Sequence, residues 1–208
     1  MKLRHKESMP ALGIFLGAVA LIAALVLALV SKLTEEPIRQ ARENNRQEVF
    51  QRLRLGDFDH AGDGEKVGDF VFYPVSRNGV CTGYVGQGQT SGYGGEIEVL
   101  VGFSTDGKIT GVQILRHKET PGLGAEVCER KFQRTIFNLN EKAPEVPENT
   151  ILDQFDGRNA ADSGNWRITR DGGDCIYLTG ATVSSRAVVS LVDDISAAFS
   201  KKIAEEDK

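Results

Sequence analysis

Apolar residues are distributed along this chain in three regimes. From Ala11 to Val30 the sequence ALGIFLGAVALIAALVLALV holds twenty residues with neither a charge nor a polar side chain. A helix of that length spans about 30 Å, the thickness of a bilayer's hydrocarbon core. The basic residues Lys2, Arg4 and Lys6 precede it, as in a cleavable signal peptide. The run exceeds the roughly 7–15 residues of a signal's apolar region, however, and no small-x-small site follows it. An uncleaved single-span anchor is expected, with residues 1–10 as a cytoplasmic tail and 11–30 as the transmembrane helix. The basic tail favours a cytoplasmic N-terminus, while Lys32, Arg39 and Arg42 just after the span weaken that bias. On this reading the soluble part lies outside the cytoplasm.

The second regime is polar. Thr34-Glu35-Glu36-Pro37 has the capping hydroxyl, early carboxylates and early proline of a helix start. To about Leu55 the apolar positions are sparse: Ile38, Ala41, Val49, Phe50 and Leu53. This pattern predicts a helical stalk over residues 31–60 that packs late against the following domain, residues 61–208.

In the third regime short apolar runs alternate with turn residues. Strands are predicted at Asp69–Val75 and Val80–Val85 about Asn78-Gly79, a dipeptide whose two positions both tolerate positive φ. A glycine cluster, residues 87–95, follows. A second hairpin, Glu96–Phe103 and Lys108–Leu115, turns at Asp106-Gly107, and Glu96 and Glu98 alternating with Ile97 and Val99 give one wet and one buried face. A helix is predicted over Ala125–Phe137, with Leu123, Val127, Cys128, Phe132 and Ile136 as its apolar stripe. Residues 138–166 read as loop with a short strand near Ile151. A strand Cys175–Leu178 then leads through Thr179–Ser185 into a last helix, whose inner face carries Val188, Val192, Ile195 and Phe199. The sum is an α+β domain built from hairpins and packed helices.

Composition narrows the function classes. The net charge of −4, with Lys and Arg scattered, gives no basic patch for nucleic acid. Cys81, Cys128 and Cys175 lie far apart without a CxxC pair, so they cannot cluster as iron–sulfur or structural zinc ligands by local spacing. They read as small buried apolar side chains, with at most one internal disulfide. The single span contains no ionisable residue, so an ion path, where one exists, belongs to other chains. No metal ligand set and no catalytic acid, base or nucleophile is expected.

Three segments carry candidate chemistry. Gly180-Ala181-Thr182-Val183-Ser184-Ser185 joins a strand to a helix and sets three hydroxyls at the helix start, where unpaired amides and the positive dipole end stabilise a phosphate. An ordinary N-cap after a glycine turn has the same look. His117-Lys118-Glu119-Thr120-Pro121-Gly122-Leu123-Gly124 can be a Pro-Gly turn with a helix cap, and Tyr93-Gly94-Gly95 a connection needing positive φ.

Taken together, and in this order, the three segments resemble the FMN-binding domain family. The likeness is narrowest to the G subunits of Rnf-type ion-translocating electron-transport complexes, and it extends over the N-terminal span and the stalk. It implies an electron-transfer subunit in a bacterial inner-membrane complex that couples electron flow to ion translocation, with other membrane subunits as partners and the soluble domain on the periplasmic side. It further implies covalent FMN, attached as a phosphoester to Thr182 by a flavin transferase that uses FAD as donor. Thr179 stands where Ser or Asp often opens the family's motif. Gly180, Ala181, Ser184 and Ser185 would surround the phosphate, with the amides of the two serines holding it. His117, Glu119, Thr120, Gly122, Leu123, Gly124, Tyr93, Gly94 and Gly95 would form the platform for the ring. Alternatives are the FMN-carrying C subunit of a sodium-translocating NADH:quinone reductase, whose members tend to be longer, and a membrane-tethered binding module without cofactor.

Overall fold

The computed structural model describes residues 9–56, 58–131, 142, 144 and 146–206. The chain divides into two compact units, Met1–Arg46 and Gln47–Lys208.

The first unit consists of most of helix α1, Met9–Gln51. Its segment Leu12–Glu35 is long and apolar enough to cross a membrane, and its large side chains, Ile14, Phe15 and Leu27 among them, are exposed. The sequence predicts a helix start at Thr34, but α1 runs straight through with Pro37 inside it. Thr34 Oγ1 does not cap; it donates backwards to the carbonyls of Val30, at 2.8 Å, and Ser31, at 3.2 Å. A threonine hydroxyl satisfied one turn behind itself lets a helix continue, while Pro37 removes one backbone bond and crowds the carbonyl four residues before it.

The second unit is an α+β fold. Among the described residues its antiparallel sheet has six strands: β1 (His60–Ala61), β2 (Glu65–Val67), β3 (Phe70–Arg77), β4 (Val80–Ser91), β5 (Glu96–Ser104) and β6 (Ile109–His117). The order is β1-β3-β4-β5-β6, with β2 also pairing with β3. Asn78 and Gly79, at φ 51° and 77°, close the first hairpin with Arg77 opposite Val80. Gly107, at φ 83°, turns the second. β4 extends to Ser91, so much of the glycine cluster is strand. Gly86 and Gly88 are needed there, because a Cβ would meet Ile195 side-chain carbons at 2.7 and 3.0 Å.

Helix α4, Thr182–Glu206, packs over that bare strip. Phe199 stacks on Phe103 at 4.1 Å between ring centroids, with Phe72 at 5.7 Å. Val99, Val101 and Phe103 of β5 share this core with Val188, Val192 and Ile195. The expected wet face of β5 is limited to its first residues. Past a bulge at Glu98/Val99, Leu100 is buried in a second cluster with Phe50, Leu53, Leu55, Val75 and Val85. Residues 50–55 therefore cover the sheet's other face.

Three predicted elements differ. The helix expected over Ala125–Phe137 is a single turn, α2, Gly124–Cys128, and Glu129 is already extended. Phe132 and Ile136 lie outside the described residues. Asn149 is the cause: its Nδ2 donates to the carbonyls of Glu126, Val127 and Glu129, at 3.2, 3.2 and 2.9 Å, which a longer helix would use for itself. The same side chain, through Oδ1, caps α3 (Thr150–Asp153), a helix turn where a short strand is predicted. Cys175–Leu178 forms only one parallel bridge, Ile168 to Cys175. Side chains satisfy its amides instead: Gln154 Oε1 accepts from Ile176 N, and Ser185 Oγ from Leu178 N.

Replacing Asn149 by alanine removes a cap and leaves buried carbonyls unpaired, so stability falls by about 2–4 kcal/mol. Denaturant unfolding of the full chain in detergent, followed by the fluorescence of the single Trp166, measures it.

Candidate functional site

The site is built around one carboxylate. Glu119 follows β6, its residue is only 6 % exposed, and a buried carboxylate needs donors. Gly94 N–H, from the loop after β4, donates to Oε1 at 3.1 Å. Ser184 Oγ, in the first turn of α4, donates to Oε2 at 2.9 Å. One side chain thus joins the three segments that the sequence singles out. The glycines around it follow from this closeness: a Cβ at Gly92 or at Gly124 would collide with its oxygens, and one at Gly94 with the Lys118 carbonyl.

Local turns aim the remaining groups. Thr120 O accepts from Leu123 N and Ala125 N, while Gly122 takes φ 76° within the turn. The reversal leaves Leu123 51 % exposed beside Tyr93, at 78 %, and Val183, at 47 %. Gly180 at φ 93° and the bond from Ala181 N to Leu178 O bring the chain into α4 at Thr182. Arg170, on the 3-10 turn Thr169–Asp171, donates from Nη1 to Thr182 Oγ1 at 3.4 Å. That turn is clamped to α4 by Arg186, which bonds both oxygens of Asp171 at 2.6 and 2.9 Å. The Arg186 bond holds the Asp171 carboxyl below the usual carboxylate range, so the clamp is intact at neutral pH.

These residues enclose a cavity of about 460 Å³, lined by Tyr93, by Glu119, Thr120, Leu123 and Gly124, by Gly180, Ala181, Thr182, Val183 and Ser184, and by Arg170. Small-molecule sites run from about 300 to 1,000 Å³. Nine of the fourteen predicted residues lie on its wall. The other five do not line it. Gly94, Gly95 and Gly122 shape the loops. His117 turns away: its Nδ1 accepts from Glu119 N, and its Nε2 lies 3.3 Å from Glu129. Ser185 is fully buried, its N–H given to Ala181 O and its hydroxyl accepting from Leu178 N. Its amide therefore closes the first turn of α4, and the free helix-start amides precede it. Arg170 escapes sequence reasoning because it stands outside every motif, in a polar turn that the Ile168–Cys175 bridge and the Asp171–Arg186 pair bring over Thr182.

The FMN-binding domain family matches residues 92–196, a stretch holding the whole cavity wall, and the RnfG N-terminal region matches residues 1–53. The G subunit of the ion-translocating oxidoreductase complex of Cereibacter sphaeroides is 33 % identical over 190 residues, covering 86 % of this chain and 79 % of that protein. The G subunit of the Na(+)-translocating ferredoxin:NAD(+) oxidoreductase complex of Acetobacterium woodii is 34 % identical over 203 residues, covering 88 % and 87 %. The corresponding G subunit of Stutzerimonas stutzeri is 32 % identical over 196 residues, covering 89 % and 78 %. The chain belongs to the family of G subunits of ion-translocating oxidoreductase complexes.

The cavity wall of this G subunit suits the ligand for which its domain family is named. Tyr93, Leu123 and Val183 offer apolar surface to a flat ring. Thr182, the start of a 25-residue helix and Arg170 offer a hydroxyl, a positive dipole end and a cation to a phosphate. The thiols play no part at the wall. Cys128 and Cys175 are buried, and burial first, helped at Cys128 by the charges of Glu119 and Glu129, pushes their pKa values to about 12 and about 11. Cys81 is exposed, against the expectation of burial for all three; it sits at the start of β4, ahead of that strand's covered residues. At pH 8, iodoacetamide followed by mass spectrometry of the folded chain labels Cys81 and spares Cys128 and Cys175, because alkylation needs an accessible thiolate.

Proposed function

We propose that this chain is the flavin-carrying electron-transfer subunit of a membrane-bound, Rnf-type complex that couples electron flow to ion translocation, with FMN joined to Thr182 by a phosphoester. The observation that carries this reading is the convergence of three separated segments and Arg170 on one cavity, with the Thr182 hydroxyl at the first residue of a long helix. The match of residues 1–53 to the RnfG N-terminal region favours a G subunit over the C subunit of a quinone reductase.

Attachment asks for a nucleophile that an outside enzyme can reach. Thr182 is partly exposed on a cavity open to solvent. A flavin transferase docks there with FAD; Thr182 Oγ1 gives its proton to a base of that enzyme, bonds to the FMN-side phosphorus, and AMP leaves with the cleaved pyrophosphate bond's electrons. The amides of Thr182, Val183 and Ser184 precede the first helical bond of α4 and hold the phosphate oxygens. Ser184 Oγ contributes through Glu119, fixing the first turn of α4 against the ring platform. FMN supplies one- and two-electron redox chemistry when bound, and the protein supplies position and field. Leu123 and Tyr93 give the ring an apolar edge, and a covalent bond removes its dissociation equilibrium on the periplasmic side of the inner membrane, where this domain lies on this reading. On this reading residues 1–10 form the cytoplasmic tail, 11–30 the span and 31–60 the stalk, whose last residues, from Gln47, fold with the domain, and the remaining redox centres and any ion path belong to partner subunits.

Coexpression with a flavin transferase, denaturation and ultraviolet imaging of an SDS gel tests this. Wild-type chain fluoresces at its own mass and Thr182→Ala is dark. A dark wild-type band, with the transferase shown active on another substrate, returns the chain to a tethered binding module without flavin.

A further inference from the structure

Arg170 has no role in any sequence motif, yet it is the one cationic side chain on the cavity wall among the described residues. Its Nη1 lies 3.4 Å from Thr182 Oγ1, the atom that the reading above esterifies. The surrounding turn keeps it there. Asp171, its neighbour, is occupied by a two-bond pair with Arg186, one helical turn beyond Thr182. Gly172 ends the turn at φ 83°, and at Gly173 a Cβ would collide with the Arg167 carbonyl. The acidic neighbour has its hydrogen bonds with Arg186, and Arg170 reaches the helix start with its guanidinium on Thr182 Oγ1.

We propose that Arg170 is the phosphate-binding cation of this site, positioned by the Asp171–Arg186 pair. The inference rests on the Thr182 attachment proposed above. A phosphate linking two esters carries one negative charge and two non-bridging oxygens, and a planar guanidinium matches that pair of acceptors better than an ammonium does. During transfer the guanidinium takes the charge that builds on those oxygens while the Oγ1–P bond forms and the bond to AMP breaks. Afterwards it neutralises the phosphoester at a cavity whose other charged side chain, Glu119, is negative. The helix-start amides supply partial positive charge only; Arg170, from a separate turn, adds a full one.

The test is the initial rate of flavin incorporation into full-length chain by purified transferase and FAD, read as fluorescence on denaturing gels. Wild type, Arg170→Ala and Arg170→Lys are compared, each with and without millimolar guanidinium ion, alongside thermal melts. Arg170 is exposed, so the melts should coincide. Arg170→Ala is expected to load at least about tenfold more slowly, with the rate partly restored by guanidinium or by lysine, an effect that a merely structural residue would not show. An Ala variant loading within about threefold of wild type, or a slow one that neither guanidinium nor lysine improves, overturns the proposal. Failure of wild type itself to load counts against the flavin reading and is distinguished from both.

Discussion

A single buried carboxylate sets the geometry of this domain's functional end. Glu119 is taken out of water, a step that costs several kcal/mol for an ion without partners. Hydrogen bonds to a charged group return roughly 1.5–3 kcal/mol each, so the bonds from Gly94 N–H and Ser184 Oγ are together large enough to offset it. The condition is that both donors arrive at once. Because one belongs to the loop after β4 and the other to the first turn of α4, satisfying the charge closes three separate segments into one wall. Gly92 and Gly124 have no room for a side chain for the same reason.

Helix α4 transmits that closure to the core. Its far end is anchored by Phe199 against Phe103 and Phe72, and its middle by Ile195 lying on the bare backbone of Gly86 and Gly88. Thr182 at its start is therefore held by a packed sheet rather than by a free loop, which is how a group meant to carry a ligand keeps its position while remaining reachable. The Asp171–Arg186 pair extends the arrangement to Arg170. An exposed pair of this kind adds little stability; its consequence is placement.

Much of the fold was legible because it rests on local rules. Asn78-Gly79 and Asp106-Gly107 mark both hairpins, the 3.6-residue spacing of Val188, Val192, Ile195 and Phe199 marks α4, and twenty apolar residues mark the part of α1 long and apolar enough to cross a membrane. The site's three segments were legible as well, and most of their residues meet at the cavity. What escaped depends on partners distant in sequence. Nothing near Ala125–Phe137 announces that Asn149 will take that helix's carbonyls. The apolar positions Phe50 and Leu53 do announce a segment that packs against the domain, but nothing in β5 shows that its second face is the one covered. Thr34 misleads as a cap because a hydroxyl can turn to a carbonyl behind it as readily as to an amide ahead. Arg170 reaches Thr182 through a turn held by the Ile168–Cys175 bridge and by the Asp171–Arg186 pair, partners that no local pattern announces.

The dependence of the three segments on Glu119 is most directly measured by amide hydrogen exchange of the full-length chain in detergent, comparing wild type with Glu119→Ala. If the carboxylate organises the wall, residues 92–95, 117–124 and 179–185 lose protection together, while β3, β4 and β5 keep theirs. Loss confined to residues 117–124, with the other two segments as protected as before, would show that each segment holds its own place and would contradict the account.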